Sequence, residues 1–141
     1  ESEYPMQWQV KSIYDADTLT VIRGSEEKTI RLCGIDAPEI GQPLGVEARD
    51  YLRKVLDGEI IHFNKLNEDR YGRTVADVIL IDQNIGADLV RNGYAWVWDE
   101  YARYCPEYDE LKQASDEAKS NQVGVFSSDS HLEPWIWRQR N

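Results

Sequence analysis

Residues 8–35 read WQVKSIYDADTLTVIRGSEEKTIRLCGI, and this stretch decides the fold class. Trp8 to Tyr14, Thr18 to Ile22 and Lys28 to Ile35 are short runs rich in β-branched or aromatic residues, parted by turn chemistry at Asp15-Ala16-Asp17 and Arg23-Gly24-Ser25. They predict a three-stranded meander. Downstream, Ala48, Leu52, Val55 and Leu56 recur at helical spacing between Val46 and Asp57, and Gly58 supplies a stop. Two more strands follow, Glu59 to Leu66 and Thr74 to Ile81, around the polar turn Asn67 to Gly72. Asn84 can cap a short helix carrying Ile85, Leu89 and Val90 and ended by Gly93, and a third helix starts at Pro106 with Leu111, Ala114 and Ala118 on one side.

Five short strands leave exposed edges unless the sheet curls closed. The expected architecture is therefore α+β: a five-stranded OB-type β-barrel with three helices, as a single domain over residues 1–141. The chain has 141 residues, 41 % of them hydrophobic and 30 % charged, which is enough apolar material for one core. With a mean hydropathy of −0.63 and no apolar run of bilayer length, membrane insertion is excluded. Sixteen Lys and Arg against 26 Asp and Glu give a net charge of −10. That balance argues against tight, salt-resistant nucleic-acid binding, which comes chiefly from cations displacing counterions; transient contact aided by a recruited cation remains open.

Cys33 and Cys105 are too few for a disulfide framework and lack zinc-like spacing. A bridge between them is compatible with export, but the favoured reading leaves them unpaired. The chain begins at Glu1, as expected of a processed product, and this points weakly to a secreted, periplasmic or cell-surface location.

Four short segments carry charge in suggestive places: Asp15-Ala16-Asp17-Thr18, Thr29-Ile30-Arg31-Leu32, Asp36-Ala37-Pro38-Glu39 and Arg70-Tyr71-Gly72-Arg73. Singly, each reads as an ordinary turn or strand, with Arg31 expected to share a face with Cys33 and Ile35 by two-residue alternation. Together they supply carboxylates for a hard cation, a further carboxylate for a water, and guanidiniums with paired donors that fit phosphate oxygens. That is a complete set for cutting a phosphodiester without a Ser, Cys or His nucleophile. His62 and His131 are poor candidates for the chemistry, being expected on a wet strand face and in a polar tail.

The order and spacing of these four segments resemble the staphylococcal nuclease (thermonuclease) family. Ala87 to Ala95, Gly124-Val125-Phe126 and Glu133-Pro134-Trp135-Ile136-Trp137-Arg138 extend the likeness, the last resembling the tail of bacterial members. The resemblance implies a calcium-dependent, sugar-nonspecific nuclease that acts on DNA and RNA, with single-stranded or denatured substrate preferred, and leaves 3′-phosphate ends. It implies Asp17 and Asp36 as calcium ligands, the Ala37 carbonyl as a third, and Asp15 as an outer ligand through water. Glu39 matches the residue that handles the attacking water, and Arg31 and Arg73 match the pair that grips the scissile phosphate. Arg70, Tyr71 and Tyr101 match substrate contacts, with Trp98 or Tyr104 available where Asp99 replaces a familiar tyrosine. A monomer is expected. The alternative is a catalytically silent module binding nucleic acid or protein, although such modules typically have degraded sites and here every charged position is filled.

Overall fold

In the computed structural model, which describes residues 5–141, β1 (Trp8–Asp15), β2 (Thr18–Arg23) and β3 (Glu26–Leu32) form the predicted meander. β1 also pairs with β5 (Ile60–Glu68), and β5 with β6 (Thr74–Leu80). A parallel ladder, with Ile30 opposite Thr74 and Leu32 opposite Ala76, joins β3 to β6 and closes the five strands into a mixed barrel. Closure satisfies the backbone groups that an open sheet would leave unpaired. Two-residue alternation buries Leu19 and Val21 on β2 and Ile30 and Leu32 on β3. On β1 the buried residues are Trp8, Val10 and Ile13; the step of three follows a register shift between Val10 and Ser12, which bends the strand around the barrel.

Three principal helices pack on this barrel: α1 (Gly45–Leu56), α2 (Ile85–Arg91) and α4 (Tyr108–Asn121). Ala48, Leu52 and Leu56 on α1 and Leu111, Ala114 and Ala118 on α4 are fully buried, as their spacing predicts, and each large aliphatic chain contributes roughly 1.5–3 kcal/mol. The Asn84 side-chain oxygen accepts the Ala87 N–H at 3.1 Å and so starts α2 as expected. Two short helices were not legible: α3 (Asp99–Ala102) and α5 (Pro134–Arg140). Among the described residues no helix is long and apolar enough to cross a membrane.

The third predicted strand is shorter than its apolar run. Gly34 adopts a positive φ of 73°, and a Cβ there would stand 2.7 Å from the Ala102 backbone and 2.8 Å from the Cys105 sulfur. The chain therefore turns, and Ile35–Asp36 (β4) pairs separately with Trp96–Val97 (β8), placing Ile35 opposite Val97 and Asp36 opposite Trp96. Cys33 and Ile35 are buried, whereas the side chain of Arg31 faces a cavity, so the expected shared face ends with the strand. The same close approach corrects the reading of the cysteines. Cys33 and Cys105 form a disulfide, tying the end of β3 to the loop ahead of α4 across 72 residues of sequence.

Beside this bond lies Asp77 of β6, which is 3 % exposed and accepts the Glu107 N–H at 3.1 Å where α4 begins. Burial pushes its carboxyl up to about 6; the Glu107 N–H opposes the shift, and the nearby charges of Glu107 and Glu110 add to it. The folded protein thus takes up a proton here at a pH where the unfolded chain does not. The stability this confers is fully present below the ordinary carboxylate pKa of about 4 and is lost as pH rises through about 6. Denaturant midpoints should accordingly lose more over that interval in the wild type than in Asp77→Asn, whose amide oxygen still accepts the Glu107 N–H. Parallel profiles would contradict the assignment.

Candidate active site

The turns at one end of the barrel surround a cavity of about 930 Å³. Asp15 and Asp17 come from the β1–β2 turn, Arg31 from β3, Asp36 from β4 and Glu39 from the turn that follows; Arg70, Tyr71 and Arg73 come from the β5–β6 turn and Tyr101 from α3. All of these line the cavity, so residues proposed from four separate segments meet in one place. Ala37 lies just behind, its N–H donating to Asp17 Oδ2 at 3.0 Å. Among the described residues its carbonyl accepts no hydrogen bond, which leaves that oxygen available as a ligand.

Local sequence explains how these groups are held. Asp17 N–H donates to Asp15 Oδ1 at 3.1 Å, closing an Asx turn, and the Thr18 hydroxyl bonds Asp17 Oδ1 at 3.1 Å. Glu39 is fixed by Gln42, whose side-chain oxygen accepts the Glu39 N–H at 3.0 Å. Gly45 lets α1 sit on this turn, since a Cβ there would stand 1.8 Å from the Glu39 carbonyl oxygen.

The electrostatics are those of buried carboxylates short of positive charge. Burial, the neighbouring Asp17 charge and the side-chain contact with Asp17 push Asp15 up to about 7, against the Asp17 N–H and the Arg31 charge, which lower it. Burial also raises Asp36, only partly offset by Arg138 and Arg31. Burial works against ionised Asp17 too, but Arg31 and the hydrogen bonds from the turn and from Ala37 outweigh it, so its carboxyl lies below the ordinary value. One nitrogen, Arg31 Nη2, stands 3.6 Å from Asp17 and 3.5 Å from Asp36, while Nη1 donates to the Leu32 carbonyl at 3.0 Å.

This donor set is all oxygen and fits a hard divalent cation rather than a soft one. Among the described residues, the one place where three His, Cys, Asp or Glu side chains each bring a ligand atom within 4.8 Å of one another is Cys33, Asp77 and Cys105, and there both sulfurs are in the disulfide. At the cavity the Arg31 guanidinium stands between Asp17 and Asp36, 3.6 Å from one and 3.5 Å from the other.

The opposite wall is cationic and aromatic. Arg73 Nε donates to Asp69 at 2.7 Å, and the guanidiniums of Arg70 and Arg73 lie 5.0 and 5.5 Å from the centre of the exposed Tyr71 ring. Trp98 lines the cavity together with Tyr101, whereas Tyr104 faces an adjoining groove.

A family model described as staphylococcal nuclease homologue matches residues 29–128. The chain belongs to the staphylococcal nuclease family. It is 32 % identical over 133 residues to an uncharacterized endonuclease of Haemophilus influenzae, covering 94 % of this chain and 72 % of that protein. It is also 32 % identical over 140 residues to a micrococcal nuclease of Shigella flexneri, covering 93 % of this chain and 79 % of that one. A staphylococcal-like nuclease of Arabidopsis thaliana is 36 % identical over 110 residues, which are 78 % of this chain and 33 % of the plant protein; the chain thus spans about a third of that relative.

Three residues of this nuclease-family site escaped the sequence reading. Tyr14 precedes the acidic turn and joins the cavity wall; its place at a strand end beside Asp15 was the available signal. Arg138 reaches Asp36 and Glu39 from the far end of the chain, which no local pattern predicts. Asp69 is the organiser of the arginine turn, accepting the N–H groups of Tyr71 and Arg73 at 2.9 Å each besides the Arg73 side chain. An acid just before a Gly-containing basic turn was its signal. Each bond to it is worth about 1 kcal/mol, so Asp69→Ala should speed amide exchange at Tyr71 and Arg73 by about fivefold. Unchanged exchange would show that the turn holds itself.

Proposed function

We propose that the protein is a calcium-dependent nuclease that hydrolyses DNA and RNA phosphodiesters without regard to the sugar and leaves 3′-phosphate ends. The observation that carries this reading is one cavity in which Asp15, Asp17, Asp36 and Glu39 face Arg31 and Arg73. Relatives named as nucleases support it. A hard cation held by Asp17, Asp36 and the Ala37 carbonyl, with Asp15 acting through water, would polarise a phosphate oxygen and ease attack by water.

The chain's own groups do the rest. Glu39, held by its backbone on Gln42, orients a water and takes its proton as the water oxygen bonds to phosphorus. Arg31 and Arg73 donate to the non-bridging oxygens as negative charge grows there. The bond from phosphorus to the 5′ oxygen breaks in line, its electron pair stays on that oxygen, and the oxygen takes a proton from solvent water. Arg70 meets a neighbouring phosphate, and Tyr71, Tyr101 and Trp98 offer faces on which unpaired bases stack, which favours single-stranded or denatured substrate. The Cys33–Cys105 disulfide supports an oxidising location, secreted, periplasmic or at the cell surface. We read the working form as a monomer, since one chain carries every group the mechanism uses.

The test is scission of denatured DNA and of RNA in millimolar calcium and in excess chelator, with the chemistry of the product ends determined. The wild type should cut both polymers only with calcium, and Asp17→Ala, Glu39→Ala and Arg73→Ala should each lose about 10²–10³ in rate while remaining folded. Cleavage unaffected by chelator would remove the metal from the reaction. No cleavage, with saturable nucleic-acid binding, would favour the silent module instead.

A further inference from the structure

Arg138, on α5, lies 102 residues from Asp36 in sequence, yet its two terminal nitrogens bridge the candidate site. Nη2 donates to Asp36 Oδ2 at 2.8 Å and Nη1 to Glu39 Oε1 at 2.6 Å. Asp36 thereby has a guanidinium on each oxygen, since its Oδ1 faces Arg31 Nη2 at 3.5 Å. The two arginines are not equally held. Arg31 rises from a barrel strand, keeps only 18 % of its side chain exposed and is anchored by the Leu32 carbonyl. Arg138 belongs to a seven-residue terminal helix and has 43 % of its side chain exposed.

We propose that Arg138 is a positioning residue of this site: an internal cation that holds Asp36 and Glu39 in place of the divalent ion and must release Asp36 for that ion to bind. The proposal rests on the reading of Asp36 as a metal ligand. A guanidinium offers one positive charge to a buried carboxylate that burial makes costly to ionise; a divalent cation offers two, and needs the same oxygen lone pairs. With Arg138 Nη2 on Asp36 Oδ2 at 2.8 Å, an ion drawn to that oxygen competes with the guanidinium for it. Metal uptake at this chain is therefore an exchange rather than a simple addition, and its affinity is lowered by the strength of the Arg138 clamp. Linkage makes the effect reciprocal: the ion loosens the clamp by the same factor by which the clamp weakens the ion.

The exchange also frees Glu39. Its Oε1 is occupied by Arg138 Nη1 at 2.6 Å, and release leaves that oxygen open to the water it must handle. Arg138 lines the cavity together with Arg31, Arg70 and Arg73, so a guanidinium released from the carboxylates is within the cavity a phosphate would enter. Loading with metal thus turns an arginine that faces carboxylates into one that faces substrate.

Other contacts keep α5 docked when the clamp opens. Trp135 stacks on Trp98 with ring centres 4.8 Å apart and planes 16° from parallel, and Pro134 is buried at the helix start. The Gln42 side-chain amide donates to the Leu132 carbonyl just ahead of α5, from the same residue that fixes Glu39. Trp98 also lies under Arg138, whose guanidinium is 5.8 Å from its ring centre. Removing the Arg138 charge should therefore leave the fold intact.

The experiment is a calorimetric calcium titration without nucleic acid, on wild type, Arg138→Met, Arg138→Lys and Arg140→Met, each checked for folding by circular dichroism. Arg140 lies on the same helix and, among the described residues, makes no ion pair, so it controls for the loss of a nearby charge. Arg138→Met should bind calcium about five- to tenfold more tightly than wild type, Arg138→Lys should fall between them, and Arg140→Met should change affinity less than about twofold. Calcium should also speed amide exchange across residues 135–140 in wild type and leave it unchanged in Arg138→Met. Calcium binding by Arg138→Met that is equal to wild type or weaker overturns the proposal alone, as does an equal gain in Arg140→Met. Absence of calcium binding in every variant overturns the proposal together with the metal reading beneath it.

Discussion

The hydrogen bond from Ala37 N–H to the Asp17 carboxylate joins two turns that lie 20 residues apart in sequence, and the candidate site depends on it. It places the acidic turn between β1 and β2 against the strand end that bears Asp36 and Glu39. The Leu32 N–H reinforces the junction by donating to the Asp17 carbonyl at 2.9 Å. Barrel closure brings the β5–β6 turn to the same end, so the arginines arrive opposite the carboxylates as a consequence of topology. Carboxylates crowded in this way repel one another and are poorly solvated. A fold tolerates them where cations compensate, and here Arg31 and Arg138 do so in part.

The barrel was legible because its determinants are local. Alternating β-branched residues, Gly and Asp turns and the Asn84 cap each act within a few residues, and the structure follows them. The end of β3 was read too long because Cys33 and Ile35 are apolar, whereas what breaks the strand is the approach of Ala102 and Cys105 to Gly34. The same approach creates the disulfide, which spacing alone could not assign. The carboxylates and the arginines of the turns were named from ordered motifs, and the cavity brings them together. Arg138 and Gln42 were not assigned to the site, because their roles arise from contacts between the first third of the chain and the segment at its end.

The acidity of the chain takes on a local meaning at this site. A net charge of −10 slows the encounter with a polyanion, yet Arg31, Arg70, Arg73 and Arg138 share one cavity. Positive charge is concentrated in one cavity, while the chain as a whole remains acidic. Several of these guanidiniums are engaged with carboxylates: Arg31 with Asp17 and Asp36, Arg73 with Asp69, and Arg138 with Asp36 and Glu39. A divalent ion that takes over the aspartates would change the balance of the whole cavity, which links metal to substrate without any large movement of the barrel.

The central claim is that the carboxylates at this end of the barrel are held short of positive charge and await a cation. Asp15 tests it most directly, because burial and the Asp17 charge raise its carboxyl to about 7 and no arginine contacts it among the described residues. Denaturant unfolding of wild type and Asp15→Asn at about pH 8, in excess chelator and in saturating calcium, measures the cost of that charge and its relief. The account predicts that Asp15→Asn is the more stable protein in chelator and gains less from calcium than wild type does. It would be contradicted by a wild type that gains nothing from calcium, or by an Asp15→Asn protein that is less stable than wild type in chelator.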